Sequence, residues 1–169
     1  MTWGIVGCGA IGQKVAQIAS AFGAKVIVYT RSDSQGYESV DIDELCSRAD
    51  IITLHVPLSE ETKHLINASR LKLMKKNAVL VNVARGAVVD EAAVAEAVIQ
   101  GKLGGIGIDV YDGEPIAVNS PYTRLYGMNN VILTPHMAWC SYESRIRAVE
   151  MVKENIEAFV SGKDLNRIV

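Results

Sequence analysis

Short apolar runs punctuate the chain at Trp3–Val6, Val26–Tyr29, Ile51–Leu54, Val79–Val83, Ile106–Val110 and Val131–Leu133. Each is close to continuously apolar instead of alternating with polar residues, which is the pattern of strands covered by helices on both faces. The segments between them carry helical periodicity. Ala10–Phe22 predicts a helix that ends before Gly23. Asp41, with Glu44 three residues later, has capping-box spacing ahead of "LCSRA". Asp90 is placed to cap "EAAVAEAVIQ", which Gly101 closes. The longest helix is expected from about Ser141 to Ser161, stopped by Gly162. Its residues Ile146, Val149, Val152, Ile156, Phe159 and Val160 recur at helical spacing, so one face of it is expected to be buried. Strands and helices alternating in this way predict an α/β fold, a doubly wound parallel sheet in three αβα layers. The polar, irregular stretches Pro57–Asn67 and Gly113–Asn130 read as surface connections, and no internal repeat or low-complexity segment is present.

The length of 169 residues suits one ordinary domain and is short for two. With 49% hydrophobic and 21% charged residues, the composition is that of a globular chain able to bury a core. A net charge of −2 without a basic tract points away from nucleic acid and from anionic membranes. The opening "MTWGIVGCGAIG" lacks the basic region and cleavage site of a signal peptide, and no apolar run approaches the ~20 residues of a membrane span. Cys8, Cys46 and Cys140 lie far apart, so neither a disulfide framework nor a metal site is expected, and a reducing cytoplasm fits. Cys8 reads as a small apolar filler, with a redox role as the alternative.

Gly7, Gly9 and Gly12 form G-x-G-x-x-G directly after the first apolar run and at the mouth of the first helix. Gly7 permits a tight turn, Gly9 lets the backbone approach a pyrophosphate, and Gly12 lets the helix pack against the strand. The N–H groups at the start of the helix then face the anionic phosphates. With a strand before it and a helix after it, this spacing predicts a Rossmann-type dinucleotide site, the alternative being a merely structural turn. The second strand of such a fold normally ends in an Asp or Glu that binds the adenosine ribose. Here that place reads Thr30-Arg31-Ser32. An acid would repel a ribose 2′-phosphate, whereas a guanidinium between two hydroxyls welcomes one. Two readings stay open: NADP(H) is preferred or accepted beside NAD(H), or Arg31 is a solvated charge and Thr30 or Ser32 meets the ribose hydroxyls.

Three further stretches fall at the carboxyl ends of strands, where doubly wound sheets bind ligands. They are "NVARGAVVDEAA" (82–93), "GIDVYDGEP" (107–115) and "LTPHMAW" (133–139). Each alone reads equally as a turn or a packing feature. In this order behind a dinucleotide turn, and with "ADIITLHVPLSEETKHLI" and "LMKKNAVLVNVARG", they carry a resemblance over essentially the whole chain. The chain resembles the nucleotide-binding domain of the D-isomer-specific 2-hydroxyacid dehydrogenases.

That resemblance implies an Arg, Glu and His catalytic set, matched here by Arg85, Glu114 and His136. It implies cofactor contacts from Gly7, Gly9, Ala10, Ile11 and Gly12, from Thr30, Arg31 and Ser32, and from His55, Val56 and Pro57. Val83, Ala84, Asp109, His136 and Ala138 complete the implied cofactor set, with Asp109 beside the nicotinamide carboxamide. No metal is implied. The implied activity is reversible hydride transfer between NAD(H) or NADP(H) and a small 2-keto or 2-hydroxy acid. A homodimer is the implied assembly.

The side chains suit that chemistry. Arg85 can grip a substrate carboxylate bidentately. His136 can give a proton to the carbonyl oxygen near neutral pH and recover it in the oxidative direction. Glu114, if hydrogen-bonded to the other ring nitrogen, would fix the tautomer and stabilise the imidazolium. His64 reads as a surface residue and His55 as part of the cofactor wall. Trp139 after "TPHMA", together with the absent ribose acid, looks like the glycerate dehydrogenase (hydroxypyruvate reductase) branch, the alternative being a lid packed on the final helix. Members of this family begin with a separate substrate domain before the glycine turn, whereas this chain begins on the first strand. The expectation is therefore a single dinucleotide-binding domain at 1–169 that keeps cofactor affinity and turns over poorly. A truncated, non-catalytic dinucleotide-binding or dimerisation module is the competing expectation.

Overall fold

The structure is a computed structural model that describes residues 1–167, so the last two residues of the expected domain lie outside it. The chain divides into two compact units, Met1–Pro135 and His136 onward.

The first unit is built on a sheet of seven parallel strands. Its elements follow in the order β1 (Thr2–Val6), α1 (Ala10–Ala21), β2 (Lys25–Tyr29), β3 (Glu38–Ser39), α2 (Ile42–Arg48), β4 (Ile51–Leu54), α3 (Ala68–Leu73), β5 (Val79–Asn82), α4 (Glu91–Ile99), β6 (Gly105–Ile108) and β7 (Val131–Leu133). The spatial order is β3-β2-β1-β4-β5-β6-β7. The chain winds outward from β1 to one edge, then crosses back to β4 and winds to the other. A crevice opens where the winding reverses, at the carboxyl ends of β1 and β4, and this is where doubly wound sheets place their ligands.

Alternation across the pleat explains why the strands read as continuous apolar runs. On β1 and β2, Ile5, Val26 and Val28 join a core with Ala16 and Ala19 of α1. Val6 and Ile27 point the other way, into a larger core with Leu45, Ile52, Leu80 and Val98. Both faces are dry, so no position on these strands needs to be polar.

The predicted caps form. Asp41 accepts the Glu44 N–H at 2.8 Å, and Asp90 accepts the Ala93 N–H at 3.0 Å. The two predicted surface connections need correction. Pro57–Asn67 contains the buried side chains of Thr62, Leu65 and Ile66. Gly113–Asn130 contains a 3-10 helix, Pro121–Leu125, with Tyr122 and Leu125 fully buried. These anchors are too irregularly spaced to produce a period, so polarity of the surrounding residues masks them. Two elements also escaped the pattern. The strand β3 has two polar residues, and α3 is a short helix whose cap Asn67 accepts the N–H groups of Ser69 and Arg70.

The second unit consists of a turn at 136–140 followed by α5 (Tyr142–Val160), capped by Ser141 and stopped at Gly162, whose φ is 70°. Its helical bounds match the expectation, but its buried face does not form. No residue of α5 is buried; Val149 is 70% and Phe159 84% exposed. Periodicity shows which face of a helix is apolar, and it carries no information on what covers that face.

Candidate functional site

The glycine turn closes β1 onto α1. Gly7 donates its N–H to the carbonyl of Tyr29 at 2.8 Å and adopts φ 94°, the left-handed region that favours glycine. Gly12 sits one helical turn later, and a Cβ there would lie 1.9 Å from the Gly7 carbonyl oxygen. The helix can therefore start only because position 12 has no side chain. Gly9 differs from both. It is the N-cap of α1, and a Cβ there would meet nothing within 4 Å. No side chain caps the N-terminus of α1, and its first turn has no acid. The result is a set of backbone N–H groups and a positive helix end facing open space, suited to a diphosphate.

From this floor a groove of about 350 Å³ extends between β2 and β4. Gly7 and Gly9 form its base, Thr30, Arg31 and Ser32 one wall, and His55, Val56 and Pro57 the other. All eight of these predicted residues thus line one cavity. Ala10 and Ile11 open α1 and are exposed. The Thr30 and Ser32 hydroxyls bond each other at 2.9 Å, and the Thr30 hydroxyl accepts the Ser32 N–H at 3.1 Å. Cys8 also lines the groove, and burial, then the Asp33 charge, raise its pKa. Its sulfur is a neutral thiol, as a filler requires.

Further along the sheet, the carboxyl ends of β5, β6 and β7 are laced together. The Asn82 side chain is fully buried, accepts the Ala84 N–H at 3.0 Å, and donates to the Arg85 carbonyl at 2.9 Å. It thereby shapes the turn carrying Val83, Ala84 and Arg85. Arg85 is exposed, and one guanidinium N–H donates to the Ala84 carbonyl at 2.6 Å. Asp109 is buried and accepts the Thr134 hydroxyl, while the Tyr111 hydroxyl donates to the Thr134 carbonyl at 2.9 Å. Glu114 accepts the Tyr111 N–H at 3.1 Å, which ties its carboxylate to the end of β6. His136 and Ala138 belong to the second unit. There His136 takes φ 52°, a backbone region that residues with a side chain seldom adopt. Among the described residues no group of acids, histidines or cysteines could hold a metal ion.

Residues 1–138 match the family model for D-isomer specific 2-hydroxyacid dehydrogenase, NAD binding domain. The chain belongs to this family. It is 42% identical over 168 residues to a glyoxylate reductase of Aeropyrum pernix, covering 96% of this chain and 49% of that protein. It is 42% identical over 165 residues to a glycerate dehydrogenase of Methylorubrum extorquens, covering 98% of this chain and 52% of that protein. Among solved structures, it is similar to an acyclic imino acid reductase in complex with NADPH and D-Arg, with a TM-score of 0.88 and 39% identity over 99% of this chain and 53% of the other. The chain spans about half the length of the curated relatives it matches.

This chain therefore carries the family's NAD-binding domain, and its residues fit a nicotinamide dinucleotide. The open ground over Gly9 and the uncapped α1 terminus fit the diphosphate, and the Thr30–Ser32 end of the groove fits the adenosine ribose. Four lining residues lie outside the predicted set, Cys8, Tyr29, Glu61 and Thr62. Asn82 was not visible as a turn-shaping residue, although a lone polar residue ending an apolar strand is the signal that marks it.

His55 shows how the wall is kept uncharged. Burial pushes its imidazole down to about 4. Its Nε2 faces the Thr53 hydroxyl at 3.0 Å, and that hydroxyl accepts the Trp3 indole N–H at 3.2 Å. With the indole N–H on one lone pair, the hydroxyl still has a hydrogen and a second lone pair for Nε2, so either neutral tautomer is satisfied there. An unfolded His55 titrates near ~6.5. Its folded pKa lies lower, so between about 6.5 and 4 the unfolded chain binds the extra proton and the folded one does not. Stability from this site is complete above about pH 6.5 and is lost as the pH falls toward 4. Urea unfolding is expected to show a loss of about 2 kcal/mol between pH 7 and pH 5 that is absent in His55→Gln.

Proposed function

We propose that the chain is the cofactor-binding half of an NAD(P)-dependent dehydrogenase that interconverts a small 2-keto acid and its 2-hydroxy acid. The bound nicotinamide supplies or accepts the hydride in this reading. Arg85, on the turn fixed by Asn82, binds the substrate carboxylate as a planar cation. His136 transfers the proton at the substrate oxygen, as acid in reduction and as base in oxidation. In this reading Glu114 is the third member of the set and Asp109 meets the carboxamide of the nicotinamide. Glyoxylate or hydroxypyruvate is the proposed keto acid, supported by the names of the relatives and by Trp139 after the "TPHMA" stretch. A homodimer in a reducing cytoplasm belongs to the same proposal.

The observation that carries this reading is the uncapped start of α1 over an open Gly9, flanked by a groove that ends in Thr30-Arg31-Ser32. A purely binding module would have no need for Arg85, Glu114 and His136, so the enzymatic reading is favoured over it.

The proposal includes acceptance of NADP(H), since Arg31 offers a cation where most folds of this type place an acid. Fluorescence titration is expected to show that Arg31→Ala weakens NADPH about tenfold and NADH much less, the loss of one charge-assisted phosphate contact. Equal losses for both nucleotides would remove the 2′-phosphate role of Arg31.

A further inference from the structure

The adenosine end of the groove holds a carboxylate as well as a cation. Arg31 stands on the β2 wall and Glu61 on the opposite wall, in the turn after β4. That turn is pinned from within. The buried Thr62 hydroxyl donates to the Pro57 carbonyl at 2.7 Å and accepts the Ser59 N–H at 2.7 Å. Lys63 returns its N–H to the Ser59 carbonyl at 2.9 Å. The Ser59 hydroxyl then donates to Glu61 Oε2 at 2.6 Å, so the carboxylate is oriented before any ligand arrives. The Ser59 hydrogen bond first, then its own backbone N–H and the Arg31 charge, hold the Glu61 carboxyl below the usual carboxylate range. It is ionised at neutral pH.

We propose that Glu61 is a specificity-determining residue at the adenosine ribose, supplying from the wall after β4 the acid that the end of β2 lacks. This rests on the dinucleotide reading of the groove. A 2′-phosphate carries nearly two negative charges, and a fixed carboxylate across the groove repels it. Free ribose hydroxyls can instead donate to that carboxylate. Arg31 and Glu61 thus act in opposite directions on the same phosphate, and the wild-type chain accepts both nucleotides because neither residue prevails.

Calorimetric titration of the whole chain with NADPH and with NADH tests this, using wild type and Glu61→Gln. The variant is expected to bind NADPH about tenfold more tightly, with NADH unchanged or weaker. The gain is expected to shrink as salt is raised from ~0.05 M to ~0.5 M, because a charge–charge term is screened and a packing term is not. Thermal melts confirm that the variant is folded. An unchanged NADPH-to-NADH ratio in folded Glu61→Gln, or parallel changes in both affinities, overturns the role of Glu61 and leaves the groove reading standing. Uptake of neither nucleotide by the folded wild-type chain overturns the groove reading and this inference with it.

Discussion

Gly12→Ala is expected to lower the melting temperature by about 10 °C, the equivalent of about 3 kcal/mol for a chain of this length. The Cβ that the substitution adds would lie 1.9 Å from the Gly7 carbonyl oxygen and 3.3 Å from a methyl of Ile5. The first of these neighbours is backbone and has no rotamer to change. Either α1 must lift from β1 or the Gly7 turn must open. Lifting α1 disturbs the core that Ala16 and Ala19 form with Ile5, Val26 and Val28. Opening the turn breaks the Gly7–Tyr29 hydrogen bond that ties β1 to β2 beyond their pairing. Differential scanning calorimetry is the measurement. A melting temperature within about 2 °C of wild type would mean that the contact between α1 and the turn is not as the structure shows.

On the proposed reaction, assayed with a substrate domain joined to the chain, His136→Ala is expected to cut NAD(P)H-dependent reduction of glyoxylate or hydroxypyruvate by about 10³-fold, within the range of general acid–base contributions. The affinity for the dinucleotide should change far less, because the floor of glycine backbone and the groove between β2 and β4 do not involve residue 136. Steady-state kinetics beside a nucleotide titration separates the two effects. A variant that retains most of its turnover would assign proton transfer to another group. A variant that loses binding and turnover in equal measure would make His136 a cofactor residue alone.

Much of this architecture could be read from the residues. Near-continuous apolar runs gave six of the seven strands within one or two positions, because the central strands are covered on both faces. The glycine spacing was readable because each glycine answers a geometric demand: a left-handed turn at residue 7, open ground at residue 9, and a close backbone at residue 12. Val56 and Pro57 were legible through the family resemblance, and His55 beside them as part of the cofactor wall; all three line the groove. Glu61 and Thr62 could not be placed there. Their position depends on hydrogen bonds internal to the 57–63 turn, which leave no periodic trace in the sequence. Tyr122 and Leu125 were hidden for a similar reason, as isolated anchors within a polar stretch. The α5 face misleads in the opposite direction, since a helical period marks an apolar face and not its burial.

The anion seat at the start of α1 is the central claim, and isothermal titration calorimetry of wild type beside Gly9→Val tests it directly. The valine side chain meets no atom of the chain at its Cβ, so the variant is expected to fold and melt as wild type does. The same side chain fills the open ground that the proposal gives to the diphosphate. Wild type is expected to bind NADH or NADPH with micromolar affinity, and folded Gly9→Val to bind either at least ~100-fold more weakly, a difference of ~2.7 kcal/mol. Undiminished nucleotide binding by folded Gly9→Val would contradict the account.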